Sequence, residues 1–154
     1  MKFNTRMLTT TALLLALALA VQQFKIQWLT GPGVNAILIL ATGYIGALSG
    51  IIIGIFTPLL ALIMGIMGFA PAIPFIMLGN ALLCIGYAWG KKINPLVGVV
   101  IGAILKFILL SLAVRFIIDA PPPVVTALSF PQLVTALTGG LIAIIILRYL
   151  PRNK

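Results

Sequence analysis

Apolar residues run along this chain in blocks of about the length needed to cross a lipid bilayer, and short polar or turn-forming stretches separate the blocks. A helix needs about 20 apolar residues to span the hydrocarbon. Six spans fit the pattern, at about 7–22, 34–48, 50–67, 73–89, 96–118 and 131–150. The first ends at the polar stretch VQQFKIQWLTGPG, where Gly31, Pro32 and Gly33 predict a turn. The run from Val34 to Gly68 would be roughly 50 Å long as one helix, too long for a bilayer even when tilted, so it is expected to break near Ala47–Gly50. GFAPAIP, GKKINP and the proline-rich DAPPPVVTALSFP separate the remaining spans, because proline removes a backbone donor and biases the preceding residue away from helix.

Composition turns this pattern into a class. Of the 154 residues 62% are hydrophobic, and the mean hydropathy is +1.28, which places the chain among integral membrane proteins. It reads as one all-α membrane domain. Ten Lys and Arg stand against one acidic residue and no histidine, spaced apart with no basic run, so the charge reads as topology and anionic-lipid contact, with no nucleic acid implied. With six spans both termini share a side. That side collects Lys2, Arg6, Lys91, Lys92, Arg148, Arg152 and Lys154, while the other loops hold only Lys25. The positive-inside rule then puts both termini in the cytoplasm and the 24–33, 68–72 and 119–130 loops outside a multi-pass protein of the cell membrane. The start MKFNTRMLTTTALLLALALA also has the shape of a cleavable signal peptide, which would leave five spans with the same charge bias; the mass of the purified protein separates the two.

The candidate chemistry is sparse. Asp119 and Cys84 are the only residues of the kinds on which acid–base and metal chemistry mainly draw, so no enzyme, metal site or cofactor is expected, and no apolar span carries a carboxylate or histidine to relay protons. Energy for uphill transport would have to enter through a partner. The informative residue is Lys106, which lies about ten residues from either end of the fifth span. Gly98 and Gly102 share its helix face, and small residues mark the side packed on other helices, so the lysine is expected to point into the bundle. A charge at that depth costs at least about 2.5 kcal/mol and is paired, hydrated or functional; snorkelling or bonding to backbone carbonyls is the plain alternative. Arg115 lies about 180° from Lys106 and four residues before Asp119, which predicts a local ion pair or headgroup contact.

Other polar groups are placed to converge with Lys106. Asn80, Cys84 and Tyr87 share a face of the fourth span, and Gln132, Thr135 and Gly139 share one in the sixth. Such groups also serve as hydrogen-bonding links between helices. Trp28 and Trp89 are expected near the two membrane interfaces. Ala12, Ala16 and Ala20 form a smooth strip on the first helix, open either to internal packing or to a partner subunit. Gly46, Gly50 and Gly54 read as internal packing, and Pro58 as a kink.

The stretch TGPGVNAILILATGYIGALSGIIIGIFTPLLALIMGIMGFAPAIPFIMLGN, Thr30 to Asn80, resembles the substrate-binding S components of energy-coupling factor (ECF) transporters, most specifically in PAIPFIMLGN, Pro71–Asn80. The length, the six-span layout and the alanine-spaced first helix agree. The resemblance implies a six-transmembrane-helix bundle that binds a vitamin or related micronutrient in its extracellular half. It also implies partners, a transmembrane coupling subunit and two cytoplasmic ATPases that drive the protein to topple and release its cargo. A small-residue face on the first helix meets the coupling subunit in that family, which carries over here onto Ala12, Ala16 and, by extension, Ala20. No substrate-specific signature is present, so the pocket rests on this chain's own residues. Lys106 is expected to neutralise an anionic group on a small substrate, pantothenate-like or nicotinate-like in charge, with Asn80, Gln132, Thr135 and Tyr87 around it. A small non-transport scaffold is the alternative. A stand-alone channel fits poorly, because the cytoplasmic half of the spans is nearly all apolar. The chain has no phosphate loop of its own.

Overall fold

The structure, a computed structural model, describes residues 5–151. Six helices of 17 to 20 residues pack into one bundle: α1 (Thr5–Gln22), α2 (Gln27–Tyr44), α3 (Ala47–Ile63), α4 (Ile73–Gly90), α5 (Pro95–Leu112) and, after the short α6 (Pro122–Leu128), α7 (Phe130–Tyr149). A 3₁₀ turn (Ala70–Ala72) leads into α4, and a π turn (Ala113–Ile117) closes α5. Four segments are long and apolar enough to cross a membrane, Thr5–Gln22, Ala70–Gly90, Pro95–Ile117 and Pro122–Tyr149, and Ala47–Ile63 is apolar but shorter. The chain is an all-helical membrane bundle.

The connections cluster at two ends. Thr11 near the start of α1 is hydrogen-bonded to Ser49 at the start of α3, and Tyr44, Tyr87, Asn94 and Arg148 line one cleft, so both described ends of the chain lie at that end of the bundle. The turn after α1, the 64–72 connection and α6 gather at the opposite end, around a cavity. Trp28 and Trp89 are exposed at opposite ends. Arg6, Lys91, Lys92 and Arg148 accompany the chain ends; Lys2, Arg152 and Lys154, which entered the charge count, lie outside the described residues.

Three local expectations need correction. α2 begins at Gln27 and runs through Gly31-Pro32-Gly33, so the turn sits earlier, at Gln23–Ile26, where Lys25 has φ 54°. The glycines there serve close approach. A Cβ on Gly31 would lie 2.7 Å from the Thr135 methyl, and one on Gly139 would lie 2.5 Å from the Pro32 carbonyl oxygen, so α2 and α7 touch nearly backbone to backbone. The proline-rich connection contains α6, because Pro122 occupies a first helical position, where a missing N–H costs nothing. Finally, Arg115 and Asp119 form no ion pair: the π turn ends in an extended Ile118 (φ −114°, ψ 134°), so the i, i+4 spacing no longer places the two side chains on one face. Both are exposed.

The break between α2 and α3 falls at Ile45–Gly46, just before the expected position, and Gly46 adopts φ 147°, where a side chain would be strained. α2 is the central helix, with eight buried residues from Val34 to Thr42. α4 and α5 cross on glycines. A Cβ on Gly102 would meet the Leu83 carbonyl oxygen at 2.5 Å, and one on Gly90 would meet the Gly98 Cα at 2.6 Å. This crossing turns the Gly98–Gly102–Lys106 face inward. By contrast α1 is peripheral, burying only Thr11 and Ala18. Ala12, Ala16 and Ala20 are exposed on its outer side, so the alanine strip does not pack inside the bundle.

Candidate functional site

Lys106 is 4% exposed, and its amino group donates to two side-chain oxygens, Asn35 Oδ1 at 2.7 Å and Asn80 Oδ1 at 2.8 Å. Lysine has donors only, so both amides must turn their oxygens toward it. Their nitrogens then need acceptors of their own. Asn80 Nδ2 donates to the Gly54 carbonyl at 2.9 Å, and Asn35 Nδ2 to Thr135 Oγ1 at 3.4 Å. Thr135 in turn donates to the Gln132 carbonyl at 3.2 Å. One connected set of hydrogen bonds therefore links α2, α3, α4, α5 and α7.

The Gly54 carbonyl is available for a reason readable in the sequence. Its helical partner would be the N–H four residues on, and that residue is Pro58, which has none. Asn80 supplies the missing donor. Pro58 thus sets the orientation of the Asn80 amide as well as interrupting the helical ladder. Replacing Pro58 with Ala restores an N–H that competes for Gly54. The expected outcome is a loss of protection of the Asn80 side-chain amide by about 3- to 10-fold, the weight of one ordinary hydrogen bond, measured by NMR hydrogen exchange. Unchanged protection would mean that the carbonyl accepts both donors equally well.

Beside this network lies a cavity of about 380 Å³. Lys106, Asn35, Asn80 and Pro58 contribute to its wall, Gln22, Gln27, Thr30 and Gln132 add polar groups, and Met67, Phe69, Val124 and Leu128 add apolar ones. Lys25 is the second cation of the wall, exposed in the turn after α1. Among the described residues no carboxylate lines it. An ammonium has three N–H donors, and the two asparagines take two, which leaves one for whatever enters. Among the described residues no group of His, Cys, Asp and Glu is placed to hold a metal ion.

The expected residues divide accordingly. Lys106, Asn80 and Gln132 come together at the cavity. Thr135 is fully buried behind Asn35 and holds its amide without lining the cavity. Tyr87 shares a helix face with Asn80 but lies seven residues on, about 10 Å along the axis, and lines the cleft at the other end of the bundle. Asn35 is the residue that the pattern reading missed.

A sequence model described as ECF transporter, substrate-specific component, matches residues 6–150. The chain belongs to that family. No curated protein and no solved structure matches it. As an S component it is the substrate-specific subunit of an ECF transporter, a membrane protein that works with the other components of an ECF module. The exposed Ala12, Ala16 and Ala20 and the buried Lys106 lie on separate parts of the bundle: the outer side of a peripheral helix, and the wall of an interior cavity.

Proposed function

We propose that this S component captures a small anionic micronutrient, a vitamin or related compound, at the outer side of the cell membrane and delivers it inward when joined to a transmembrane coupling subunit and two cytoplasmic ATPases. The observation that carries the reading is a buried ammonium with one uncommitted donor at the wall of a cavity that holds no acid. In a low-dielectric interior such a group favours a negative guest, and the amides around it fix its position. Lys106 is the electrostatic contact, Asn35 and Asn80 hold it, Gln132 contacts the guest, and Thr135 acts through Asn35.

The positive-inside bias supports placing the chain ends in the cytoplasm and the cavity outward, since Arg6, Lys91, Lys92 and Arg148 lie at the first end and Lys25 at the second. The exposed alanines of α1 support a docking role: side chains this small let another helix approach closely. Replacing Ala16 with Leu is expected to reduce co-purification of the coupling subunit and ATPases at least about tenfold while leaving ligand binding intact, because the residue does not reach the cavity. Undiminished co-purification would remove the alanine strip from the interface.

Mass spectrometry of small molecules retained after gentle purification tests the substrate class. A retained anionic metabolite, absent from Lys106→Met, supports the reading. A neutral or cationic one refutes it.

A further inference from the structure

We infer that the substrate carries a single negative charge at one end and a hydrogen-bond donor, a hydroxyl or N–H, at the other; this rests on the anion-binding reading above. The charge count comes from the wall of the cavity. Lys106 is its one buried cation, and Lys25, the other cation, is exposed in the turn after α1. With two of its three donors held by asparagine oxygens, the ammonium offers one N–H to one oxygen of the guest. One buried positive charge offsets one negative charge. A second negative charge in the same interior would stand unpaired, which costs more than its contacts return. A single directed donor also suits a carboxylate better than a doubly charged phosphate, which needs several donors around it.

The donor at the far end follows from three glutamines. Gln27 and Gln132 both commit their nitrogens to one acceptor, the Ala127 carbonyl, at 3.4 and 3.3 Å. Neither Oε1 takes a hydrogen bond within the described protein. Gln22 Oε1 is buried without any partner, a cost that a donor arriving at this wall relieves when the side chain turns to meet it. All three residues line the cavity. The wall thus carries three amide oxygens without a partner as well as the ammonium held by its asparagines. A guest that matches both ends is a monocarboxylate bearing hydroxyl or amide N–H groups.

Four compounds of one chain length separate the terms: 6-hydroxyhexanoate, hexanoate, adipate and 6-hydroxyhexanamide, each titrated to tens of millimolar against the purified full-length protein by calorimetry. The expected order is 6-hydroxyhexanoate about 3- to 10-fold tighter than hexanoate, and adipate at least about 10-fold weaker than 6-hydroxyhexanoate. Gln132→Leu should erase most of the preference for the hydroxyl, read as the ratio of 6-hydroxyhexanoate to hexanoate affinity within the same variant. Adipate binding as tightly as 6-hydroxyhexanoate would overturn the single-charge inference, and hexanoate matching 6-hydroxyhexanoate would overturn the donor end. Both outcomes leave the anion reading standing. If 6-hydroxyhexanamide binds as well as the acid, or if none of the four binds, the anion reading itself fails.

Discussion

Replacing Lys106 with Met should weaken binding of the retained anion by about 30-fold or more, while the protein still folds. The size follows from removing one partner of a buried charge pair, which typically costs about 2–5 kcal/mol of binding because the other charge is left without compensation. Stability should move much less, since two effects oppose each other. Taking a charge out of the membrane interior relieves a penalty of about 2.5–3.5 kcal/mol, and leaving Asn35 Oδ1 and Asn80 Oδ1 without their donor costs about 1–3 kcal/mol each. Thermal unfolding in detergent checks the second quantity, and titration with the identified ligand checks the first. Equal affinity in Lys106→Met and the native protein would withdraw Lys106 from the site.

The second large effect belongs to the scaffold that aims Lys106. Gly102→Ala should destabilise the bundle by about 1–3 kcal/mol, at the upper end of that range, because the added methyl would sit 2.5 Å from a backbone oxygen of α4 that cannot swing away. The helices must separate to admit it, and the amino group one turn further on moves with α5. Ligand affinity should therefore fall together with stability. Gly68→Ala is the control, since nothing lies within 4 Å of the added carbon. Chemical denaturation of the two variants side by side gives the comparison. A Gly102→Ala protein as stable as Gly68→Ala would show that α4 and α5 do not need their close crossing.

Lys106 and Asn80 were legible in the sequence because helical periodicity relates them to glycines and to polar neighbours in unbroken apolar runs. Asn35 was not, and the reason is a helix boundary. With Gly31-Pro32-Gly33 read as a turn, Asn35 falls in the first turn of its span, near the membrane surface, where an amide is ordinary. With α2 starting at Gln27, the same residue lies eight positions in, about 12 Å deep, where an amide needs a partner. The glycines looked like chain-breakers because their neighbours on α7, Thr135 and Gly139, are a hundred residues away. Only tertiary packing shows that they are thin places between helices. The short α6 was hidden similarly: three consecutive prolines suggest a loop, yet proline fits the opening turn of a helix.

The Arg115–Asp119 pair failed for a local reason that pattern alone does not reveal. Charge spacing on a helix predicts contact only while the helix continues, and this one widens into a π turn and straightens before Asp119. The alanine strip shows the opposite case. Its spacing favoured internal packing, with docking on a partner as the alternative, and the exposure of all three side chains in the isolated chain takes the strip out of the bundle interior.

The absence of any acid from the cavity wall among the described residues has an electrical consequence. With a singly charged guest seated on it, Lys106 becomes half of a neutral pair, and a neutral pair does no work against membrane voltage, however far it is carried. The vacant subunit differs, for its lone ammonium would exchange about 2.3 kcal/mol with a 100 mV potential if moved across the full thickness. Voltage would then act on the returning carrier rather than on the loaded one.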